Sequence, residues 1–181
     1  MQEIVVSSPQ ELWSWLEENH HQPQSIRLIT WKAAHPAKYV GRDDVLDALT
    51  AYGWVDGRRF VVDDDRTAQL VSPRKQQAWA QSYKNRVEKL RDEKRMKPAG
   101  EAAVAQGLAS GLWDFFADVD ALIVPDDLAK DLDLTLWDAL APSYRRNVLR
   151  WIKLAKTAPT RQKRIATAVT STKQGEKIPQ M

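Results

Sequence analysis

Residues 52–73, YGWVDGRRFVVDDDRTAQLVSP, contain the pattern that decides the fold. Two segments rich in β-branched residues, 54–62 and 66–72, flank a short polar run of aspartates. Two strand-forming segments joined by a short polar turn are typical of a β-hairpin. Gly53 is expected to end the helix before the hairpin, and Pro73 is expected to end its second strand.

The segment before the hairpin alternates between helical and strand patterns. In SSPQELWSWLEE, Ser8 is a natural N-cap, Pro9 suits the first helical position, and Glu11 follows as in a capping box. Residues 25–33, SIRLITWKA, are rich in β-branched residues and predict a strand. Residues 42–53, RDDVLDALTAYG, carry an apolar stripe at helical spacing and predict a second helix.

The chain after Pro73 has helical patterns throughout. The predicted longer helices are 81–96, 98–116, 142–156 and 159–173, and VPDDLAKDL and TLWDALA predict two short ones. Because strands cluster early and helices late, we expect an α+β fold. It would consist of a small, mostly antiparallel β-sheet packed by helices, followed by a C-terminal helical bundle or hairpin.

The domain organisation follows the same change of pattern. We assign residues 1–96 to the sheet-containing part and residues 97–181 to the helical part, and we expect both to form one compact unit. The polar tail, residues 174–181, is predicted to be disordered.

Composition excludes several classes of function. The chain of 181 residues has no cysteine, so disulfides, thiolate nucleophiles and cysteine metal sites are excluded. Phosphate-loop, dinucleotide-binding and nucleophile-elbow motifs are also absent from the sequence, and we expect no cofactor and no metal site. No run approaches the roughly 18 apolar residues of a membrane span, and no signal peptide is recognisable. A cytoplasmic location is therefore expected.

The charges of the chain are unevenly distributed. Residues 114–138 contain eight Asp and one Lys, whereas residues 142–181 contain ten Lys or Arg and one Glu. An acidic segment folded against a basic one explains this pattern, and so does a basic face for an anionic partner. The second interpretation makes nucleic-acid binding an alternative function. Its candidate residues are Arg145, Arg146, Arg150, Lys153, Arg161 and Arg164.

Tryptophans beside polar residues mark the candidate site. Because side chains alternate along a strand, Trp54, Asp56 and Arg58 are expected to form one polar-aromatic row. Aromatic faces with cationic side chains favour a non-enzymatic module that binds a small molecule, peptide or protein. The candidate ligand-binding residues are Trp31, Lys32, Trp54, Asp56, Arg58, Arg74, Trp79 and Asn85.

Two alternatives use the same residues. Asp56 could act as the general base of an enzyme, polarised by Lys32 or Arg74. The cluster could instead be a sealed structural core, in which Asp56 forms a buried ion pair and Asn85 caps a helix that starts at Ser82.

Several longer motifs resemble one protein family. They are LITWKAAH, DALTAYGWVDGRR, LVSPRKQQAWAQSYKNRVEKL, RMKPAG and LAPSYRRNVLRWIKLAKTAPTRQKRIA. In this combination the chain resembles, over about residues 8–170, the YdeI/OmdA family of bacteriocin-protection or OmpD-associated proteins. The resemblance implies a small α+β domain followed by a helical region, and a link to bacteriocin or peptide-stress tolerance. It implies no catalytic mechanism.

The resemblance carries a set of signature positions onto this sequence. They are Trp31, Lys32, Gly53, Trp54, Asp56, Gly57, Pro73, Arg74, Trp79, Asn85, Arg145, Arg146 and Trp151. One joint departs from the expected pattern: the segment EKRMKPAG has Glu93 and Lys94 where a glycine is expected.

Overall fold

The computed structural model describes residues 1–178 of the chain. The chain forms two compact units, unit 1 from Met1 to Asp114 and unit 2, which begins at Phe115. The sequence-based division after residue 96 stays a prediction about domain organisation. Residues 179–181 of the predicted disordered tail lie outside the described residues. In the described part of that tail, Ile178 is buried and its backbone N–H donates to the Tyr144 hydroxyl over 3.0 Å.

Unit 1 contains a mixed sheet of four strands in the order β1-β2-β4-β3. The strands are β1 (Glu3–Val6), β2 (Ile26–Trp31), β3 (Trp54–Val61) and β4 (Arg66–Pro73). Strand β1 pairs parallel to β2, and the other two pairings are antiparallel. The predicted α+β class, the mostly antiparallel sheet and the β3–β4 hairpin are therefore confirmed. Strand β1 was not predicted, because its four residues carry little pattern of their own.

Unit 1 contains four helices, and the expected end signals are present at the start of α1 and at the end of α2. They are α1 (Pro9–Asn19), α2 (Arg42–Ala51), α3 (Gln81–Asp92) and α4 (Pro98–Ala109). The Ser8 hydroxyl accepts the Glu11 backbone N–H over 3.2 Å, which confirms Ser8 as the N-cap of α1. Gly53 directly follows the end of α2 with φ +71°, a conformation that favours glycine.

One face of the sheet forms the core of unit 1 with α1 and α2. The core residues of the sheet are Val6, Ile26, Leu28, Trp54 and Val71, and those of the two helices include Leu12, Leu16, Val45, Ala48 and Leu49. Each large apolar side chain buried there contributes about 1.5–3 kcal/mol. This packing fixes the N-terminal end of α2 beside the sheet.

The joint between α3 and α4 is a helix cap with an unusual residue. The Arg95 N–H donates to the Leu90 carbonyl over 2.8 Å, and the Lys94 N–H donates to the Arg91 carbonyl over 3.0 Å. These two bonds form a Schellman motif, whose left-handed position is usually glycine. Lys94 occupies that position with φ +56°. The glycine expected here from the family resemblance is thus replaced by a strained lysine.

Unit 2 is helical over its described residues. Its helices are α5 (Ala117–Asp120), α6 (Asp126–Ala129), α7 (Leu134–Asp138), α8 (Pro142–Lys153) and α9 (Ala158–Gln174). The short helices α6 and α7 lie in the segments VPDDLAKDL and TLWDALA that predicted them.

The opposite charges of unit 2 pair with each other. The salt bridges are Asp118–Lys153 at 2.5 Å, Asp120–Arg146 at 3.8 Å, Asp127–Arg161 at 2.6 Å and Asp138–Arg145 at 2.5 Å. Hydrogen bonding from Arg161 lowers the pKa of the Asp127 carboxyl. Arg150 and Arg164 lie over the rings of Phe116 and Trp151. The acidic segment therefore folds against the basic one, and the six candidate nucleic-acid residues all have partners within unit 2.

Among residues 1–178, no helix combines the length and the apolar character that a membrane crossing requires.

Candidate functional site

A pocket of about 210 Å³ lies between the sheet and the first turn of α2. We call it the β2–β4 pocket. Its lining residues are Leu28, Thr30, Trp31, Lys32, Ala33, Tyr39, Val40, Arg42, Val45, Arg59, Thr67 and Gln69. Two of the candidate ligand-binding residues, Trp31 and Lys32, are among them.

Strand register brings the sheet side of the pocket together. Thr30 and Leu28 of β2 lie opposite Thr67 and Gln69 of β4, and Gln69 also lies opposite Arg59 of β3. Directly opposed residues share a face of the sheet, so these side chains converge from three strands.

The helix side of the pocket comes from the start of α2. Arg42 is the first residue of this helix, and Val45 lies one turn further along. The N-cap residue, Gly41, provides no side-chain hydrogen bond. The first backbone N–H groups of α2 therefore lack the side-chain acceptor that usually caps them, and they give this end of the helix a partial positive charge.

The charged groups of the pocket are all cationic. Within the described lining, no residue is Asp, Glu or His. The Lys32 ammonium is held at the hairpin turn, where it donates to the carbonyls of Asp63 at 3.0 Å and Asp64 at 2.8 Å. The guanidinium groups of Arg42 and Arg59 form no salt bridge or hydrogen bond with any of residues 1–178. Two arginines without a salt-bridge partner among residues 1–178 therefore border one concavity.

Two aromatic side chains, Trp31 and Tyr39, line the pocket. The Lys38 ammonium lies 4.4 Å from the Trp31 ring centroid, and the Arg66 guanidinium lies 5.7 Å from it. The His35 ring meets Trp31 edge to face at 5.2 Å. A backbone bridge between Trp31 and Tyr39 holds the loop after β2 against the strand end. Trp31 is thus fixed by its neighbours and half-buried.

Gln69 is the buried polar residue of the pocket. Its side chain is part of a residue only 8% exposed, and its amide donates to Asp56 Oδ2 over 2.8 Å and to the Gly57 carbonyl over 3.4 Å. The other oxygen of Asp56 accepts the Tyr83 hydroxyl. The Asp56 carboxylate therefore accepts hydrogen bonds from two neutral donors, Gln69 and Tyr83.

Arg74 is the centre of a second, closed cluster. Its guanidinium lies 4.0 Å from the Trp79 ring centroid and 4.8 Å from that of Tyr83. Burial lowers the pKa of Arg74 to about 10, against the opposing effect of the Asp56 charge, so the group stays cationic at neutral pH. Its Nε and Nη2 atoms are buried and have no hydrogen-bond partner among the described residues.

The predicted row of Trp54, Asp56 and Arg58 was wrong at its last member. The register of β3 against β4 shifts between Asp56 and Arg59, as expected for a β-bulge. The Arg58 guanidinium lies 5.3 Å from the Phe60 ring centroid. Phe60 pairs with Ala68 and therefore lies on the opposite face of the sheet from Arg59, which pairs with Gln69. The bulge replaces Arg58 by Arg59 on the pocket face.

The remaining candidates lie apart from the pocket. Trp54 is 1% exposed, and its indole N–H donates to the His20 carbonyl over 2.9 Å. Asn85 accepts the Gln81 side-chain amide over 2.8 Å. The expected capping by Asn85 of a helix starting at Ser82 was wrong, since Ala80 is the N-cap of α3. A ligand-binding role for these residues stays a prediction.

Several pocket residues were missed by sequence reasoning, namely Tyr39, Arg42, Arg59 and Gln69. Gln69 carried one usable signal, because a polar residue between Ala68 and Leu70 in a strand must either face solvent or find a buried partner. Arg59 carried another, since Gly57 marks the bulge that changes which arginine faces the pocket.

Among residues 1–178, no cluster of His, Cys, Asp and Glu side chains has the arrangement to hold a metal ion.

Comparisons with known proteins found a separate family match in each of the two units. Residues 4–103 match the family model described as a domain of unknown function, DUF8412. Residues 121–175 match the model described as bacteriocin-protection, YdeI or OmpD-associated. Searches among curated proteins and among solved structures found no match. The chain belongs to the DUF8412 family of unknown function, and its residues 121–175 are similar to the bacteriocin-protection, YdeI or OmpD-associated family.

Proposed function

We propose that the protein is a non-enzymatic binding protein and that its β2–β4 pocket holds a small organic anion. The observation that carries this proposal is the pair of Arg42 and Arg59 at one concavity that has no acidic residue in its described lining. Charge-assisted hydrogen bonds from guanidinium groups to carboxylate or phosphate oxygens are the strong polar contacts of such sites.

The N-terminal end of α2 also favours a negatively charged ligand. Backbone N–H groups at a helix N-terminus bind anions, and here Gly41 leaves them without a side-chain cap. The carboxylates of Asp43 and Asp44 in the first turn of α2 neutralise part of this positive charge. Asp43 also forms a salt bridge with Arg86, outside the pocket, at 2.8 Å. The ligand therefore relies chiefly on the two arginines.

The rest of the lining selects a ligand with an apolar body. Leu28, Val40 and Val45 are buried, and Trp31 and Tyr39 add aromatic surface. The volume of about 210 Å³ is below the roughly 300–1,000 Å³ of pockets for drug-sized ligands. We expect a molecule of about one ring with a single carboxylate or phosphate group.

The cellular role belongs to the same proposal. The description of the family matched by residues 121–175 names bacteriocin protection, so we propose a contribution to bacteriocin or peptide-stress tolerance in the cytoplasm. The pocket offers no histidine or carboxylate for proton transfer within its described lining, which supports binding over general acid-base catalysis.

A thermal-shift experiment with matched probes tests the proposal. Benzoate and phenyl phosphate have the required ring and charge, whereas benzamide has the same shape as benzoate without the charge. We expect the anions to raise the melting temperature and benzamide to leave it unchanged, because binding to the folded state stabilises it. Equal effects of benzoate and benzamide would contradict an anion site.

A further inference from the structure

We propose a second, separate anion site at the start of α1, which takes a compact anion with two or more negative charges. The site is a surface pocket of about 380 Å³ in unit 1, which we call the Trp13 pocket. Its lining residues are Pro9, Gln10, Trp13, Lys94, Arg95 and Lys97. This inference does not depend on the function proposed for the β2–β4 pocket.

Three cations from one short segment line the Trp13 pocket. Lys94, Arg95 and Lys97 all belong to the joint between α3 and α4, and no described lining residue is acidic. Arg95 is held by Glu93 at 2.9 Å and by the buried Asp47 at 3.7 Å, and it lies 4.8 Å from the Trp13 ring centroid. Lys97 is held by Glu17 at 3.2 Å.

Of the three cations that line the Trp13 pocket, Lys94 is the one available to pair with a ligand. Its ammonium forms no salt bridge or hydrogen bond with any of residues 1–178, whereas Arg95 and Lys97 each have a carboxylate partner. A singly charged anion would meet one unneutralised cation here. An anion with several charges can also compete with the exposed carboxylates of Glu93 and Glu17 for Arg95 and Lys97, while Asp47 keeps its contact with Arg95.

The backbone at Lys94 supports a functional reason for this lysine. Its φ of +56° lies in the left-handed region, where a side chain is disfavoured and glycine is not. Non-glycine residues in this conformation are concentrated at functional sites. Here the lysine places a positive charge at the rim of the Trp13 pocket, which glycine could not do.

The aromatic wall limits the kind of anion. Trp13 meets Tyr52 edge to face at 5.6 Å, and Arg95 lies over the Trp13 ring. Because Tyr52 and Arg95 both contact the Trp13 ring, the ring gives the pocket an apolar wall and is not free to stack on a flat ligand. The chemistry fits pyrophosphate-like or polycarboxylate groups and does not require a flat aromatic part.

Isothermal titration calorimetry with pyrophosphate and citrate tests this site. The proteins are the wild type, Lys94→Gly, Lys94→Arg and the control Lys75→Gln, which removes an exposed lysine outside the Trp13 pocket. Removing one positive charge about 4 Å from each unit of ligand charge in water weakens binding by at least about fivefold. We expect that loss for Lys94→Gly, near-complete retention for Lys94→Arg, and no change for Lys75→Gln.

The two probes distinguish the sources of the ligand. Binding of pyrophosphate alone would identify a phosphate site, and binding of citrate alone would identify a carboxylate site, and either result supports the proposal. Absence of binding by both probes would overturn it. So would an unchanged affinity of Lys94→Gly, or an equal loss for Lys75→Gln. Because Lys94→Gly should fold at least as well as the wild type, a loss of binding cannot be attributed to unfolding.

Discussion

Arg58 and Arg59 are neighbours in the chain, yet the bulge of β3 places them in different environments. Arg59 lies opposite Gln69 and lines the β2–β4 pocket, whereas Arg58 lies 5.3 Å from the Phe60 ring centroid. The two residues have the same charge and are both exposed. They therefore form a natural pair of test and control for the function of the pocket.

Asp47 should be the most important ionic residue for the stability of unit 1. Its side chain is 4% exposed and contacts Arg86, Lys89 at 2.8 Å and Arg95 at 3.7 Å. Asp47→Ala leaves the poorly exposed Arg86 without this partner, and we expect a loss of about 3–5 kcal/mol in the free energy of unfolding. Chemical denaturation measures it.

Asp43 is the matched control for Asp47. It also binds Arg86, at 2.8 Å, but its side chain is 86% exposed. We expect Asp43→Ala to cost far less stability than Asp47→Ala, because exposed ion pairs contribute little. Similar losses for the two variants would mean that burial is not what makes the Asp47 network important.

Lys94→Gly should stabilise the protein. The left-handed conformation of Lys94 costs about 1 kcal/mol that glycine avoids. Gly111 has φ +73° and open space where a side chain would begin, so Gly111→Ala should lose a similar amount from backbone strain alone. Urea denaturation of both variants checks the signs, and a destabilised Lys94→Gly would show that its side chain supports the fold.

Gly100→Ala should be much more damaging than Gly111→Ala. A Cβ atom at position 100 would lie 2.3 Å from the Ala51 carbonyl oxygen, so α4 could not keep its distance from the end of α2. We expect a loss of about 1–3 kcal/mol or more from this overpacking. A melting temperature equal to that of Gly111→Ala would contradict the close helix contact.

Acid should remove part of the stability of unit 1. Arg91 donates two hydrogen bonds to Glu101, at 2.9 and 2.7 Å, and this hydrogen bonding lowers the pKa of the Glu101 carboxyl below its ordinary 4.5 although burial opposes it. The folded state therefore binds fewer protons than the unfolded state. The stabilisation is present above about pH 4.5 and is lost as the pH falls through the folded-state pKa.

Melting temperatures between pH 3 and pH 7 test this linkage. Glu101→Gln should melt below the wild type at pH 7, and the difference should shrink as the pH falls. Glu18→Gln serves as the control, because Glu18 is exposed and forms no salt bridge among residues 1–178. A difference for Glu101→Gln that stays constant with pH would refute the ion-pair origin.

The sequence predicts the local parts of this fold well. Ser8, Gly53 and the aspartate turn act within a few residues, so the ends of α1 and α2 and the β3–β4 hairpin follow from neighbouring residues. Strand β1 does not, because its four residues are defined by pairing with β2, about twenty residues away in the chain. Such non-local pairing leaves little trace in a short segment.

The candidate site was predicted less completely for the same reason. Trp31 and Lys32 were named from their residue types and from the family resemblance, and both line the β2–β4 pocket. Arg42 and Arg59 join them only through the register of the strands and the position of α2. The strongest aromatic candidates, Trp54 and Trp79, are each 1% exposed, because large aromatic residues stabilise cores as readily as they line ligand sites.

The most direct test of the central claim compares Arg59→Gln with Arg58→Gln in calorimetric titrations with benzoate. Arg59 lines the β2–β4 pocket and Arg58 does not, although both variants remove one positive charge from the same strand. Hydrogen bonds to charged groups contribute about 1.5–3 kcal/mol, so Arg59→Gln should weaken benzoate binding about tenfold or more. Arg58→Gln should bind as the wild type does. Equal affinities of the two variants would contradict an anion site in the β2–β4 pocket.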